Sequence, residues 1–467
     1  MASVDLSRSY RRLIVAITLS ASFLSVLTQF LLITAFPKIM EEFSVNSTEV
    51  QWLTTGYMLT IAVLIPITGY LIDKFKTRTL MLSAMSMFFI GTLIGLAAPS
   101  FPVLLAGRIF QGVGSGIMIP LMQTILFLVF PKEKRGFAMG LAGLVINVAP
   151  AIGPPISGVM VRYFEWRSLF WVTLPIAALI LVLVFIFMRN ITEQRKTDID
   201  FSSIILSTVG FGGMLYGFNR VEDAGIGDPI AIVSMLVGAV ALALFAVQQL
   251  RLQTPILELR VLKVPTLALV AFVSILAFSL LISSETMLPM YVQNAQQFSA
   301  FYGGLIVMPG ALTLALMSLF AGNLFDKYGG RIIAIIGFVL LVVSTLGFHF
   351  ILTLDTPFIV TMILFMLAMA GVGLINMPIM TAGINALPDE LIPHGTAVVN
   401  TARQFGGSLG LTFIISFISQ AETGSEAVDP LNYLSGVKTA FFVAFLFAVI
   451  GLISAFFIDR KRKSARG

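Results

Sequence analysis

Three acids and one arginine mark where this chain could do chemistry. Gly69-Tyr-Leu-Ile-Asp73-Lys74-Phe-Lys-Thr-Arg78 places one acid among three bases between two long apolar runs. Gly322-Asn-Leu-Phe-Asp326-Lys327-Tyr-Gly329-Gly-Arg331 repeats its Gly, Leu, Asp, Lys, aromatic and Arg 253 residues later. A carboxylate in such a turn can lie against the positive N-terminus of a helix and so favour one conformation. Ordinary charged turns that only fix topology would look the same singly, but the repetition favours a latch. The third acid, Glu285 in Ser283-Ser-Glu285-Thr-Met-Leu-Pro289, is the only one inside an expected membrane span. A carboxyl in an apolar cavity is suited to carrying a proton. The alternative is that Glu285, four residues before Pro289, simply reaches outer water.

Arg108 opens Arg108-Ile-Phe-Gln111-Gly-Val-Gly114-Ser-Gly116, inside an apolar run. A full charge within a bilayer costs at least about 2.5 kcal/mol. Arg108 is therefore expected to face a wet cavity, with Gln111 one turn on, and to tune Glu285; the alternative is snorkelling to the outer surface. Asn147-Val-Ala-Pro150-Ala-Ile-Gly153-Pro154-Pro155-Ile-Ser-Gly158 has three prolines in six residues. Such a break is tolerated in a membrane where protein or cavity water satisfies the carbonyls, and a bend between two halves is expected there. Gln29, Gln111, Gln123, Asn147 and Asn376 are candidate cavity groups for substrate, although polar residues in spans more often join helices. Arg403 is a further candidate, either snorkelling inward or holding an inner gate.

These residues need a scaffold, and composition names it. Of 467 residues 58% are hydrophobic and 11% charged, against about 25% charged in a soluble globule. The chain reads as an all-α polytopic membrane protein. Spans of roughly 20 apolar residues fall near 13–36, 50–72, 80–98, 103–127, 137–161, 168–188, 202–219, 229–248, 265–289, 302–324, 332–353, 358–380, 396–420 and 438–458, fourteen in all. With the N-terminus inside, 22 of the 29 bases fall in inner segments, among them Arg195, Lys196 and the run Arg460 to Arg466. That bias supports cytoplasmic N- and C-termini. The net charge of +6 belongs to this pattern and not to nucleic-acid binding. Trp52, Trp166 and Trp171 all begin spans at the outer face, as an aromatic belt would.

The repeated loops join spans 2 and 3 and spans 10 and 11, so two six-span units match around an insert opened by Asp198-Ile-Asp200. The expected domains are an N-terminal bundle over 1–190, two inserted helices over 191–260 and a C-terminal bundle over 261–467. Paired bundles are a plan of secondary transporters. There is no Cys, no His cluster, no phosphate-binding Gly-x-x-x-x-Gly-Lys loop and no nucleophile–base–acid set. Metal, ATP drive and enzyme chemistry are therefore not expected.

Taken together, the motifs resemble the major facilitator superfamily, specifically its fourteen-span drug:proton antiporters of the EmrB/QacA type. Gly69–Arg78 is similar to the superfamily's loop signature, Arg108–Gly116 to its span-4 signature and Pro150–Gly158 to the antiporter signature. Gln51-Trp-Leu-Thr-Thr-Gly-Tyr-Met-Leu is similar to the start of span 2 in this family, and Asn400-Thr-Ala-Arg403-Gln404-Phe-Gly-Gly-Ser-Leu-Gly410 to its span-13 segment. The resemblance implies two six-helix bundles, a central cavity, alternating access and drug export driven by proton entry across a bacterial cytoplasmic membrane. It also implies a proton gradient in place of any cofactor. Three departures stand out: Thr28 occupies the position of a span-1 acid, Lys76 replaces a loop glycine, and Ser157 replaces the first glycine of a pair. Without the span-1 acid, the family's usual proton site and its selection for cationic drugs lack their residue.

The expected activity is proton-coupled export of amphipathic organic compounds, that is, multidrug efflux and antibiotic resistance. Glu285 would carry the proton and Arg108 would tune it. Pro150, Gly153, Pro154 and Gly158 would form the antiporter bend. Gly69, Asp73, Lys74, Arg78, Gly322, Asp326, Lys327 and Arg331 would form the gating loops. The expected partners are a small amphipathic substrate, protons and the lipid bilayer, with the protein a monomer. Two other readings stay open: the same fold exporting a peptide, amino acid, sugar or siderophore, and a lipid-handling or signalling membrane protein that transports nothing.

Overall fold

The computed structural model describes residues 7–192, 194, 200–225, 227–422 and 430–458. Arg195, Lys196, Asp198 and the bases from Arg460 onward lie outside the described residues. All regular structure among the described residues is helical. The long helices are α1 (Arg8–Leu31), α3 (Ser47–Lys74), α4 (Thr77–Leu96), α5 (Phe101–Val129), α6 (Arg135–Tyr163) and α7 (Ser168–Phe187). They continue as α8 (Phe201–Ala224), α9 (Pro229–Arg251), α10 (Pro265–Met290), α11 (Ala300–Tyr328), α12 (Gly330–Ile351), α13 (Phe358–Asn385), α14 (Ile392–Glu422) and α15 (Pro430–Ala455). A short α2 (Phe36–Phe43) follows α1. The first apolar run is therefore not one helix to Phe36: a 3₁₀ turn at Ile33–Ala35 intervenes, and Pro37 suits only the first turn of a new helix.

Thirteen of these helical stretches are long and apolar enough to cross a membrane among the described residues. Helix α14 is equally long, but Asn400, Arg403, Gln404 and its glycines dilute its hydropathy. This is an all-α multi-pass membrane protein with two six-helix bundles and two inserted helices.

Local chemistry sets the helix ends. Asn46 and Glu49 form a reciprocal capping box at the start of α3. Pro229 and Pro265 stand first in α9 and α10, where a missing N–H costs nothing. Between α11 and α12 the chain turns on Gly329 alone, at φ 80°, a conformation that favours glycine.

The packing repeats. In the first bundle α5 packs on α3 and α4, α6 on α1, and α7 on α4; in the second α13 packs on α11 and α12, α14 on α10, and α15 on α12. Helices α8 and α9 pair with each other, and α8 also touches α3 and α14. Across the halves, α6 lies against α11 and α3 against α14.

The tryptophans do not all form a belt. Trp171 is 64% exposed, as a belt position should be, but Trp166 is 2% exposed. Its indole N–H donates to Glu42 at 2.6 Å and its ring packs against Phe43 and Phe170. Trp52 stacks on Tyr216 of α8 at 5.9 Å.

Candidate functional site: a seam closed at one end and two unpaired charges

The two repeated loops lie on one face of the bundle, the aspartate face. There each reaches across to the opposite half. Asp326 ends α11 and caps α6: its Oδ1 accepts from the Gly136 N–H at 3.0 Å and its Oδ2 from the Phe137 N–H at 2.9 Å. A helix N-terminus offers unpaired N–H donors and a positive dipole end, so a carboxylate is favoured there. Asp73, 7% exposed, faces His394 at the start of α14, with Oδ2 and Nε2 3.1 Å apart. The Glu258 N–H points at the other ring nitrogen, Nδ1, at 3.3 Å. That contact makes Nδ1 the acceptor and leaves Nε2 to donate its proton to Asp73.

Glycines bring the backbones close enough for these contacts. A Cβ on Gly322 would stand 2.3 Å from the Gly136 carbonyl oxygen and 2.9 Å from the Gly140 Cα. A Cβ on Gly69 would stand 3.0 Å from His394 Nδ1. Arg135, 3% exposed, adds an ion pair to Asp389 at 3.0 Å and a hydrogen bond to Asn385 at 3.1 Å. Deeper in, the Asn147 amide donates to Ser318 Oγ at 3.0 Å and the Asn400 amide to Gln123 Oε1 at 2.6 Å. Beyond Asn147, α6 turns to its own half: Gly153 packs on Phe30 and Leu27, and Ser157 bonds Thr34 and the Leu31 carbonyl. Among the described residues, every hydrogen bond between the two bundles lies between the aspartate face and the Asn147 level. The seam is closed at that end.

The other loop bases do not latch. Arg78 donates to the Phe185 carbonyl at 2.5 Å and stacks 5.4 Å over the Phe185 ring. Arg331 lies 6.0 Å over Phe456. Each thus binds the last helix of its own bundle or the residue after it. Lys74 bonds Tyr70 at 2.7 Å, and Lys327 is exposed.

Arg108 is not on a cavity. It is fully buried, with Nε donating to the Leu53 carbonyl at 3.0 Å and Nη1 to Gln111 Oε1 at 2.8 Å and the Thr28 carbonyl at 3.3 Å. Its guanidinium lies 4.2 Å over the Tyr57 ring. Gln111 is equally buried and donates onward to Thr92 at 3.0 Å. Arg108 does not meet Glu285, the carboxyl it is expected to tune; two carbonyls, Gln111 and a π face inside one bundle take up Nε and Nη1, and Nη2 has no hydrogen-bond partner among the described residues. Gln123, Asn147 and Asn376 are also buried in bonds between helices. Three prolines leave α6 continuous from Arg135 to Tyr163, so no break occurs. Gly158 has nothing within 4 Å of an added Cβ.

Of the expected cavity groups, Gln29, Glu285 and Arg403 remain half-exposed. Helix α10 packs on α11, α13, α14 and α15 of its own bundle. Its residual half-exposed stripe runs through Phe278, Ile282, Glu285 and Pro289. The Glu285 carboxylate has no hydrogen bond or ion pair with any described residue. Arg403 stacks 5.1 Å over Phe278 and donates from Nη1 to Asn376 Oδ1 at 2.9 Å, with no carboxylate partner among the described residues. It neither snorkels to the aspartate face nor crosses to the other half. An open depression of about 760 Å³ on the opposite face, lined by Lys38, Glu42, Arg162 and Trp166 among others, holds none of these groups.

His394 was not marked as functional by the sequence. Its signal, a histidine in Pro393-His394-Gly395 at the mouth of an apolar run, is visible only with hindsight of its partner.

Residues 18–411 match the family model described as Major Facilitator Superfamily. The chain is 46% identical over 465 residues to "Uncharacterized MFS-type transporter YcnB" of Bacillus subtilis, covering 99% of this chain and 98% of that one. It is 39% identical over 466 residues to lincomycin resistance protein LmrB of Bacillus subtilis, covering 97% of each. Among solved structures, the human organic anion transporter MFSD10 (TETRAN) superposes with TM-score 0.68 at 15% identity, over 95% of this chain and 99% of that one. The proton:xylose symporter XylE gives TM-score 0.66 at 14% identity, over 97% of each.

Proposed function

The chain belongs to the major facilitator superfamily, and we propose that it exports amphipathic organic compounds in exchange for protons. Membership makes it a multi-pass membrane transporter and not an enzyme. Export of drugs is supported by the likeness to a lincomycin resistance protein over nearly the whole chain. The fourteen-helix count fits the EmrB/QacA type, with bundles over 1–190 and 261–467 and the insert over 191–260. The basic segments on the aspartate-face side support a cytoplasmic aspartate face in a bacterial cell. The described conformation then has its cytoplasmic seam shut.

The observation that carries the coupling is the unpartnered, half-exposed Glu285 carboxylate in the membrane interior. A proton on Glu285 neutralises it, which favours the state that closes outside and returns inward. Substrate binding favours the ionised, outward-moving state. Because each ligand prefers a different state, the two fluxes are linked. The latches at Asp73 and Asp326 set how readily the cytoplasmic seam opens. The energy source is the proton gradient, with no cofactor.

The test is proton flux into vesicles carrying the purified protein, with an acid exterior relative to the lumen and a panel of cationic, zwitterionic and neutral drugs. Wild type is expected to leak protons when a substrate is added, and Glu285→Gln is not. Substrate-triggered leak in both would move the proton carrier away from Glu285. Leak in neither, across the panel, would sink the antiport reading.

A further inference from the structure

The half-exposed wall of α10 and α14 carries two unmatched charges of opposite sign. Arg403 spends one N–H on the neutral Asn376, and its Nε and Nη2 meet no acceptor among the described residues. Glu285 has no donor among the described residues. The two do not pair with each other. Phe278, under the Arg403 guanidinium, and Glu285 are seven residues apart on one helix. Seven residues are close to two turns, so both side chains share a face and stand roughly 10 Å apart along the axis. Gly407 and Gly410 of α14 pack on Phe278 and Ser279, which fixes Arg403 beside the same stripe. Between the charges lie Phe278 and Ile282, an apolar strip.

An unpaired charge away from bulk water is costly, and a site with one of each sign is best satisfied by a ligand with one of each. We propose that the substrate site prefers zwitterionic amphiphiles: an anionic group such as a carboxylate on Arg403, an amine on Glu285, and an apolar body along Phe278 and Ile282. This rests on the export reading and narrows it. Arg403 acts here as a fork that fits a carboxylate through two parallel N–H donors. It also gives the amine a role in coupling, since an amine on Glu285 and a proton on Glu285 exclude each other.

The test uses the fluorescent quinolone norfloxacin, whose amine and carboxylate flank an aromatic bicycle. Its methyl ester carries only the cation and its N-acetyl derivative only the anion. Binding to the purified full-length protein is followed by fluorescence, alongside the melting temperature of every variant. Wild type is expected to bind norfloxacin at least tenfold more tightly than either derivative. Arg403→Gln should weaken norfloxacin to the level of the ester while leaving the ester unchanged. Arg403→Lys should recover part of the loss. Glu285→Gln should do the converse, sparing the N-acetyl compound. Equal binding of all three probes, no binding of any, or equal weakening of all three by Arg403→Gln at unchanged melting temperature would overturn the proposal. Transport by the same preparation keeps the two readings apart. Charge-selective binding without export keeps the site and removes the exporter, whereas export without charge selection does the reverse.

Discussion

The Asp73 and Asp326 loops share a sequence pattern and a position, yet each aspartate makes a different bond. Asp326 holds two backbone N–H groups of α6. Asp73 holds one side chain, His394, which is itself oriented by the Glu258 N–H. The turns differ as well. Gly329 bends at φ 80°, but its counterpart Lys76 sits at φ −59°, because two residues rather than one separate α3 from α4. The missing loop glycine thus has a physical account: the first turn never enters the left-handed region. The repeat encodes where an acid must stand relative to the opposite bundle, and the opposite bundle decides what it meets. One latch is tied to the main chain, which substitution of a partner side chain leaves in place. The other hangs on a side chain that a single substitution deletes.

The strongest way to break this comparison is to push the two seams apart at their glycines. Gly322→Ala sets a Cβ against the α6 backbone at two points, 2.3 Å from the Gly136 carbonyl oxygen and 2.9 Å from the Gly140 Cα, and backbone cannot swing aside. The seam at the aspartate face should fail to close, with transport falling at least about tenfold, the effect of roughly 1.4 kcal/mol. Gly69→Ala meets the His394 ring at 3.0 Å, which can tilt, and the His394 Cα only at 3.3 Å, a few tenths of an ångström too close; about a two- to threefold loss is expected, well under 1 kcal/mol. Cysteine labelling of the aspartate face reads the same difference directly. Equal losses in the two variants would refute the claim that the seams are built differently.

The next effect sharpens the contrast in bonding. Asp326→Asn turns an amide N–H₂ toward one of the two N–H donors of α6, at a cost of about 1–3 kcal/mol to the closed state. No change of side chain at Phe137 should mimic it, because the donors are the Gly136 and Phe137 main-chain N–H groups. His394→Ala should mimic Asp73→Asn, and the double variant should be no worse than either single one. A double-mutant cycle of seam opening checks this, and additive effects would show that Asp73 and His394 do not act as one unit.

Particular residues show what could be read in advance. The paired loops were legible because both copies carry Gly and Asp in register, and a helix N-terminus is a general partner for an acid; Asp326 found one. His394 was illegible, since a lone histidine beside a proline and a glycine has no periodicity to give it away. Arg108 misled for an instructive reason. The cost of a charge in a bilayer demands satisfaction but does not demand water. The carbonyls of Thr28 and Leu53 and the face of Tyr57 supply it inside one bundle, and nothing in the spacing says which helix will bring them. Trp166 likewise looked like an interface residue until Glu42 and Phe170 enclosed it. Spans and bundle number follow from hydropathy alone, whereas the partners of polar groups depend on helix rotation.

The smallest expected effect lies where the two loops agree most. Arg78 and Arg331 are the same repeat position, and each stacks on a phenylalanine at the end of its own bundle. Neither touches the opposite half, so neither should shift the balance between conformations. Exposed cation–π contacts are worth about 0.5–1 kcal/mol. Arg78 has a carbonyl hydrogen bond at 2.5 Å and the closer stack, at 5.4 Å against 6.0 Å. Arg78→Ala should therefore lower thermal stability more than Arg331→Ala, with both losses at or under about 1 kcal/mol and with seam opening unchanged. If either variant instead opened the aspartate-face seam as Asp326→Asn does, the bases would belong to the latch, and the division between a latching acid and anchoring bases within each loop would have to be given up.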